Sequence, residues 1–337
     1  MTEQESYKSG GSLDLDKIRR LLDPILAQQE RAARFAETDA RRGHFFALAG
    51  VPTPNAPALI AASGLFEVHA VDHPPGLVNL TGALRPESRL EYAKLGGAIT
   101  GTTHELWLSE KVSDRKFALS LANRIIYLLR VGSGWSARAV GYADTSWSAV
   151  AAQRGSVMAH VLGEEWHQRA RFGSAVLSQA DVNWVDTHVL EALARMRETR
   201  FSMAFDAAGE VHLISDLRMA VSRAWAGVEA LLGINQELTF RIALYLAVLL
   251  RSDPEDRVKL RAEVKTLYGL RSKAVHGVEM TDAVLLDTAR RSWTLLRETL
   301  IAILELDEPT PDAARLDQVL LGHQLARKSA QPTAGTD

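Results

Sequence analysis

Apolar residues recur at helical spacing along most of this chain, and the pattern is clearest after residue 216. Leu217, Val221, Ala224, Trp225, Val228, Leu231 and Leu232 form one stripe, and Gly233 stops it. Leu238 to Leu250 is apolar nearly all round, as in a helix buried among others. Asp253 and Pro254 open a third helix, with aspartate as N-cap and proline in the first helical position. It runs to about His276, with Gly277 just past its end. Thr281 caps a fourth helix, from about Ala283 to Leu304, and Asp282 suits its positive N-terminal end. Four helices with short connections predict an up-and-down bundle, with Trp225, Leu244, Leu249, Leu267 and Leu295 in its core. Asp307-Glu-Pro-Thr-Pro311 breaks the pattern, and a short helix from Ala313 to Leu325 follows before a frayed tail.

The first two hundred residues are more mixed. A helix is predicted from Leu15 to about Ala40, with Leu15, Ile18, Leu22, Ile25 and Leu26 on one face and Pro24 as a kink or boundary. Proline and glycine clusters after Gly50 read as loops, with short strands at Leu65–Val71 and Glu105–Leu108. Phe117, Leu121, Ile125, Leu128 and Leu129 predict a helix over Arg115–Arg130, ended by Gly132-Ser-Gly134. Trp135 to Ala152 has too little periodicity to assign. Helices are predicted over Gly155–Ala170 and Asp186–Arg200, the latter with Val189, Leu190, Leu193 and Met196 apolar. Phe205–Glu210 reads as a turn or a kink, and the domain boundary is placed there. The expectation is a mainly α protein. Residues 1–14 are a disordered start, and 15–204 an α or α+β regulatory or sensing region with a few short strands. The helical bundle takes 205–306, and a short helix and tail take 307–337.

Composition narrows the function classes. A chain of 337 residues with 47% hydrophobic and 24% charged residues has room for two packed cores. A formal charge of −2 gives no global sign of nucleic-acid binding, so any such contact needs a local patch. The lack of cysteine removes disulfides, thiol catalysis and Cys-ligated zinc, and fits a reducing compartment. Met1 to Ser12 has no signal-peptide pattern and no apolar run is long enough for a bilayer, so a soluble, cytoplasmic protein with no membrane contact is expected. His160, Glu164 and His167 fall near one face of the predicted 155–170 helix. Two histidines and a carboxylate can bind a metal, but the spacing is not His-Glu-x-x-His, and a solvated helix face is the better reading. No metal and no cofactor are expected.

The chemistry concentrates in Leu267-Tyr-Gly-Leu-Arg-Ser-Lys-Ala-Val-His-Gly277. The apolar stripe of its helix is Leu260, Val264, Leu267, then Arg271 and Val275, so an arginine stands where a leucine is expected. A guanidinium there needs a partner, and Glu229, beside the inward stripe of the first bundle helix, is the candidate. One reading of that pair is purely structural, fixing helix register. His276 lies about 140° round the helix from Arg271, so the two meet only if the helix ends or a two-fold axis brings two copies together. Arg257, Lys259, Arg261, Lys265, Arg271 and Lys273, against Glu263 alone, form a basic strip that could track a phosphate backbone, although by itself it reads better as a solvated helix face. Tyr268 can stack a base or fill the core.

The short Arg-to-His spacing between amphipathic helices resembles the HEPN superfamily. The wording Ala224-Trp-Ala-Gly-Val-Glu-Ala-Leu-Leu232, then Tyr268 to Gly277, is most similar to its Apea-like branch. The resemblance covers roughly Met219 to Leu306. It implies a homodimer whose two motifs share one cleft, and a metal-independent endoribonuclease in antiviral defence or a toxin-like stress role. On that reading His276 is the acid/base, Arg271 grips the scissile phosphate and Glu229 orients Arg271. Lys265, Lys273 and Tyr268 would contact RNA. Ser272 follows the arginine, where the family more often has Asn, Asp or His. The alternatives are a non-catalytic dimerisation or RNA-binding scaffold, and a toxin-neutralising or assembly partner that binds another protein; a regulatory protein partner is a further expectation.

Overall fold

The computed structural model describes residues 23–24, 26–27, 30–34, 39–50, 58–71, 74–75, 102–152, 159–161, 176–234 and 236–328. The expected disordered start, much of the helix expected from Leu15, Glu164, His167 and the tail beyond 328 lie outside them. The fold is mainly α with an N-terminal α+β region.

Six strands form one antiparallel sheet: β1 (Gly43–Ala49), β2 (Ala58–Ile60), β3 (Phe66–Ala70), β4 (Thr102–Ser109), β5 (Arg138–Ala143) and β6 (Ala159–Val161), in the order β2-β3-β4-β1-β5-β6. Alternation puts Phe46, Leu48, Leu106 and Leu108 on one face, against helix α1 (Arg115–Ser133). Phe45, Ala47 and Ala143 lie on the other face, under Trp147 of the short helix α2 (Trp147–Ala152). Asp114 caps α1, and Gly134, at φ 79°, ends it.

Beyond α1 lie α3 (Gln179–Arg195) and α4 (Thr199–Glu210), then the predicted helices α5 (Leu217–Leu232), α6 (Leu238–Leu250), α7 (Pro254–Val275) and α8 (Asp282–Leu304), and a last short helix, α9 (Ala313–Leu320). The buried residues of α1, α4, α5, α6, α7 and α8 join the inner sheet face in one continuous core. Trp225, Leu249, Leu267 and Leu295 are buried in it, and Leu244 is half-buried.

Several sequence expectations need correction. Phe205–Glu210 is neither turn nor kink but the second half of α4, so position 205 falls inside a helix; the chain turns only at the 3-10 segment Val211–Leu213. The helix predicted over 155–170 is replaced at Ala159–Val161 by an edge strand, whose His160 pairs across from Tyr142. The helix predicted from Asp186 starts at Gln179, where Ser178 and Asp181 form a capping box, and it ends at Arg195 rather than Arg200. The C-terminal helix stops at Leu320, not Leu325. Phe117, Leu190 and Val275, placed on inward stripes, are exposed. Each lies in or near a terminal turn or on the flank of its stripe, where spacing alone does not fix the facing side.

Candidate active site

Helix α7 carries the Arg-to-His phrase. Asp253 accepts hydrogen bonds from the amides of Glu255 (2.9 Å) and Asp256 (3.1 Å), so the helix starts where the sequence indicates. Leu260, Val264, Leu267, Tyr268 and Ala274 are its buried residues. It ends at His276, which is the C-cap. The amide of Val278 donates to the carbonyl of Lys273 (3.0 Å) and that of Gly277 to the carbonyl of Ala274 (3.4 Å), with Gly277 at φ 72°. This is the Schellman end, and it needs a residue that accepts a left-handed backbone.

Arg271 reaches back to α5. Its Nη2 lies 3.2 Å from Oε1 of Glu229, each side chain 23% exposed. The Tyr268 hydroxyl donates to the same Glu229 oxygen (3.1 Å), and the guanidinium sits 5.4 Å from the Tyr268 ring centre. Tyr268 is itself buried, edge-on to Trp225 at 5.1 Å, and the Trp225 indole N–H donates to Ser292 Oγ (2.9 Å). Burial raises the Tyr268 pKa, and the Glu229 charge and hydrogen bond add to the rise. Glu229 is therefore held from two sides, and Arg271 is steered by a carboxylate and an aromatic face. The Nε of Arg271 is buried without a hydrogen-bond partner among the described residues.

Arg218, in the first turn of α5, is a supporting residue that sequence reasoning missed. Its Nη1 donates to the carbonyl of Ala274 (2.9 Å) and its Nη2 to that of Val278 (2.8 Å). It thereby grips both sides of the turn that bears His276, at the helix end where a cation is favoured. No local pattern announces this, because its partners are backbone oxygens more than fifty positions away.

His276 is exposed, and its ring has no partner among the described residues. The helix is continuous from Arg271 to Val275, so the two side chains leave it about 140° apart and about 7.5 Å apart along the axis. One chain does not bring them together. Val275, Val278, Val284 and Leu286, on the turn and the first turns of α8, are exposed apolar residues near the same end. Ser272 is half-buried and offers its carbonyl to the His276 amide. Lys265 and Lys273 are exposed and free of ion pairs. Glu263, the one acid of the basic strip, is paired with Arg291 of α8 (2.9 Å), which leaves the lysines uncompensated locally.

Among the described residues no group of His, Asp and Glu is arranged to hold a metal, and no helix is long and apolar enough to cross a membrane. His160 stacks on Tyr142 instead.

Glu229→Gln tests the Arg271 anchor. The amide can still accept from Tyr268, but the charge on Arg271 loses its counter-ion. At this partial burial the expected cost is about 1 kcal/mol, read from the denaturant midpoint, together with lower activity in any assay that depends on Arg271. Unchanged stability and activity together would remove Glu229 from the site.

Comparison with protein-family models, with characterised proteins and with solved structures finds no match to this chain.

Proposed function

We propose that this chain is a metal-independent endoribonuclease of the HEPN type, whose active cleft is completed by a second copy across a two-fold axis. The observation that carries the proposal is the exposed, unpartnered imidazole of His276 on a rigidly capped turn, one helix segment beyond an arginine pre-oriented by Glu229 and Tyr268. The exposed apolar residues near that turn support a covering partner, since such residues gathered at one place mark contact surfaces. A two-fold arrangement is the simplest way to oppose two such turns.

The chemistry follows from the residue types. A neutral imidazole takes the proton of a ribose 2′-hydroxyl, the oxygen attacks the adjacent phosphorus, and a phosphorane forms. Arg271 donates to its non-bridging oxygens where negative charge accumulates. The imidazolium so formed gives its proton to the departing 5′-oxygen, which leaves a 2′,3′-cyclic phosphate and a 5′-hydroxyl. Lys265 and Lys273 steer the backbone. By the same resemblance the biological role would lie in antiviral defence or a toxin-like stress response.

Purified protein incubated with single-stranded RNA and excess chelator is expected to produce those ends, to leave DNA intact, and to sediment as a dimer at micromolar concentration. A strict need for divalent metal, or 5′-phosphate products, would sink the mechanism. A second reading has its own observation. Glu229 already neutralises Arg271, so the pair is equally explained as the packing of a non-catalytic helical scaffold. That reading predicts intact RNA under every condition.

A further inference from the structure

At the other end of α7, about 21 Å along the helix from Arg271, lies a cavity of about 320 Å³. It is bounded by the end of α6, the start of α7 and the segment after α9. Arg251, Arg257, His323 and Arg327 line it, no carboxylate does, and Val248 and Val319 supply apolar wall. We infer that this cavity is a binding site for a phosphate group, carried by a small ligand or by the end of an RNA chain.

The argument rests on how the guanidiniums are held. Arg257 donates through Nε to the carbonyl of Arg251 (2.8 Å), and Arg327 through Nη2 to the carbonyl of Leu249 (2.9 Å). Each is fixed by backbone, which leaves its charge unspent. Both terminal nitrogens of Arg257, and Nη1 and Nε of Arg327, have no partner among the described residues. Only Arg251 meets a carboxylate, Glu298 at 3.1 Å, and it spends a second nitrogen on the carbonyl of Leu250. Three guanidiniums therefore share one concavity against a single acid that does not line it. An ordinary solvated surface spreads such charges apart or intersperses acids, because like charges at short range repel.

Two of the three acids nearest in sequence are otherwise engaged, and Glu255 does not line the cavity. Asp253 accepts from the first amides of α7, and Asp256 pairs with Lys259. Arg257, anchored through Nε, presents its two terminal nitrogens as parallel donors, which match phosphate oxygens bidentately. Holding the forks in place before binding reduces the ordering cost that a ligand must offset. The volume sits at the small end of ligand sites, about 300–1,000 Å³, which suits a mononucleotide or a chain end and not a duplex. The inference does not depend on RNA cleavage at His276, since the two places share only the helix between them.

Calorimetric titration of the full chain with adenosine 5′-monophosphate at low salt is expected to show one site that weakens as salt is added. Adenosine, lacking the phosphate, is expected not to bind. Arg257→Gln and His323→Ala are each expected to weaken binding about tenfold or more. Arg290→Gln, exposed on α8 away from the cavity, is expected to leave it unchanged. His323 is exposed and its ring has no partner among the described residues, so its variant decides the matter if Arg257→Gln misfolds. Parallel titrations with inorganic phosphate and with a dinucleotide carrying or lacking a 5′-phosphate separate a free anion from an RNA end. Failure of all three phosphate probes at millimolar concentration, or equal binding by His323→Ala and the unaltered chain, overturns the inference.

Discussion

His276→Ala is expected to abolish RNA cleavage while leaving the stability of the fold almost untouched. The imidazole is exposed and makes no contact that folding would miss, and the cap backbone at φ −85°, ψ 12° accepts alanine without strain. What the substitution removes is the proposed proton carrier, an effect of about 10²–10⁴ in rate. Arg271→Ala is expected to lower the rate by about 10²–10³ through lost stabilisation of the phosphorane. Unlike the histidine variant it also lowers stability, because Glu229 and the Tyr268 ring lose a partner. Single-turnover cleavage of a labelled RNA, set beside denaturant unfolding of each variant, separates the two profiles. Wild-type cleavage by His276→Ala would return the motif to a structural role.

The parts of this molecule that were legible in the sequence are those whose causes are local. The ends of α5, α7 and α8 are written as Gly233, Asp253-Pro254 and Thr281, and each cap forms where it is written. The Arg271–Glu229 pair was readable because both residues sit at known phases of long helices. The α4 error has an opposite cause. Gly209 reads as a turn signal, yet a Cβ there would overlap the Tyr127 ring, so this glycine permits close helix packing rather than a bend. Strand β5 escaped notice because both of its faces are covered: Gly141 lies beneath Trp147 while Val140 and Tyr142 are also buried, so polar and apolar positions do not alternate. Strand β6 has three residues, too few for a period of two to show. Neither the helix phase nor the fold of one chain brings Arg271 and His276 together.

Acid is expected to destabilise the protein well above the pH at which carboxylates titrate, and His212 is the main reason. It occupies the 3-10 turn between α4 and α5, fully buried, with its ring 5.4 Å from that of Trp293 and neither nitrogen hydrogen-bonded among the described residues. Burial, then the charges of Arg130 and Arg297, push its pKa from 6.5 to about 2. The unfolded chain therefore takes up a proton below pH 6.5 that the folded chain refuses until about pH 2. Stability is complete above pH 6.5 and falls as pH drops, by about 1.4 kcal/mol per pH unit once the unfolded histidine is charged. By pH 4.5 the expected loss from this one residue is about 2–3 kcal/mol. His104, buried on β4 and pushed down to about 4, acts in the same direction between pH 6.5 and 4. Glu105, raised by burial against the opposing pull of Arg41, works against both, because its folded carboxyl keeps its proton to higher pH than the unfolded one does. The comparison of His212→Leu with the unaltered chain cancels these shared contributions. At pH 7 the two are expected to differ by no more than about 1 kcal/mol, since an unpaired buried imidazole is exchanged for an apolar group of similar size. Between pH 6.5 and 4.5 the variant should lose stability more slowly, by about one proton's worth of slope. Denaturant unfolding across that interval measures it directly. Parallel curves for the two proteins would mean that His212 finds a partner when it is charged, and that the junction between α4, α5 and α8 opens to accept the proton.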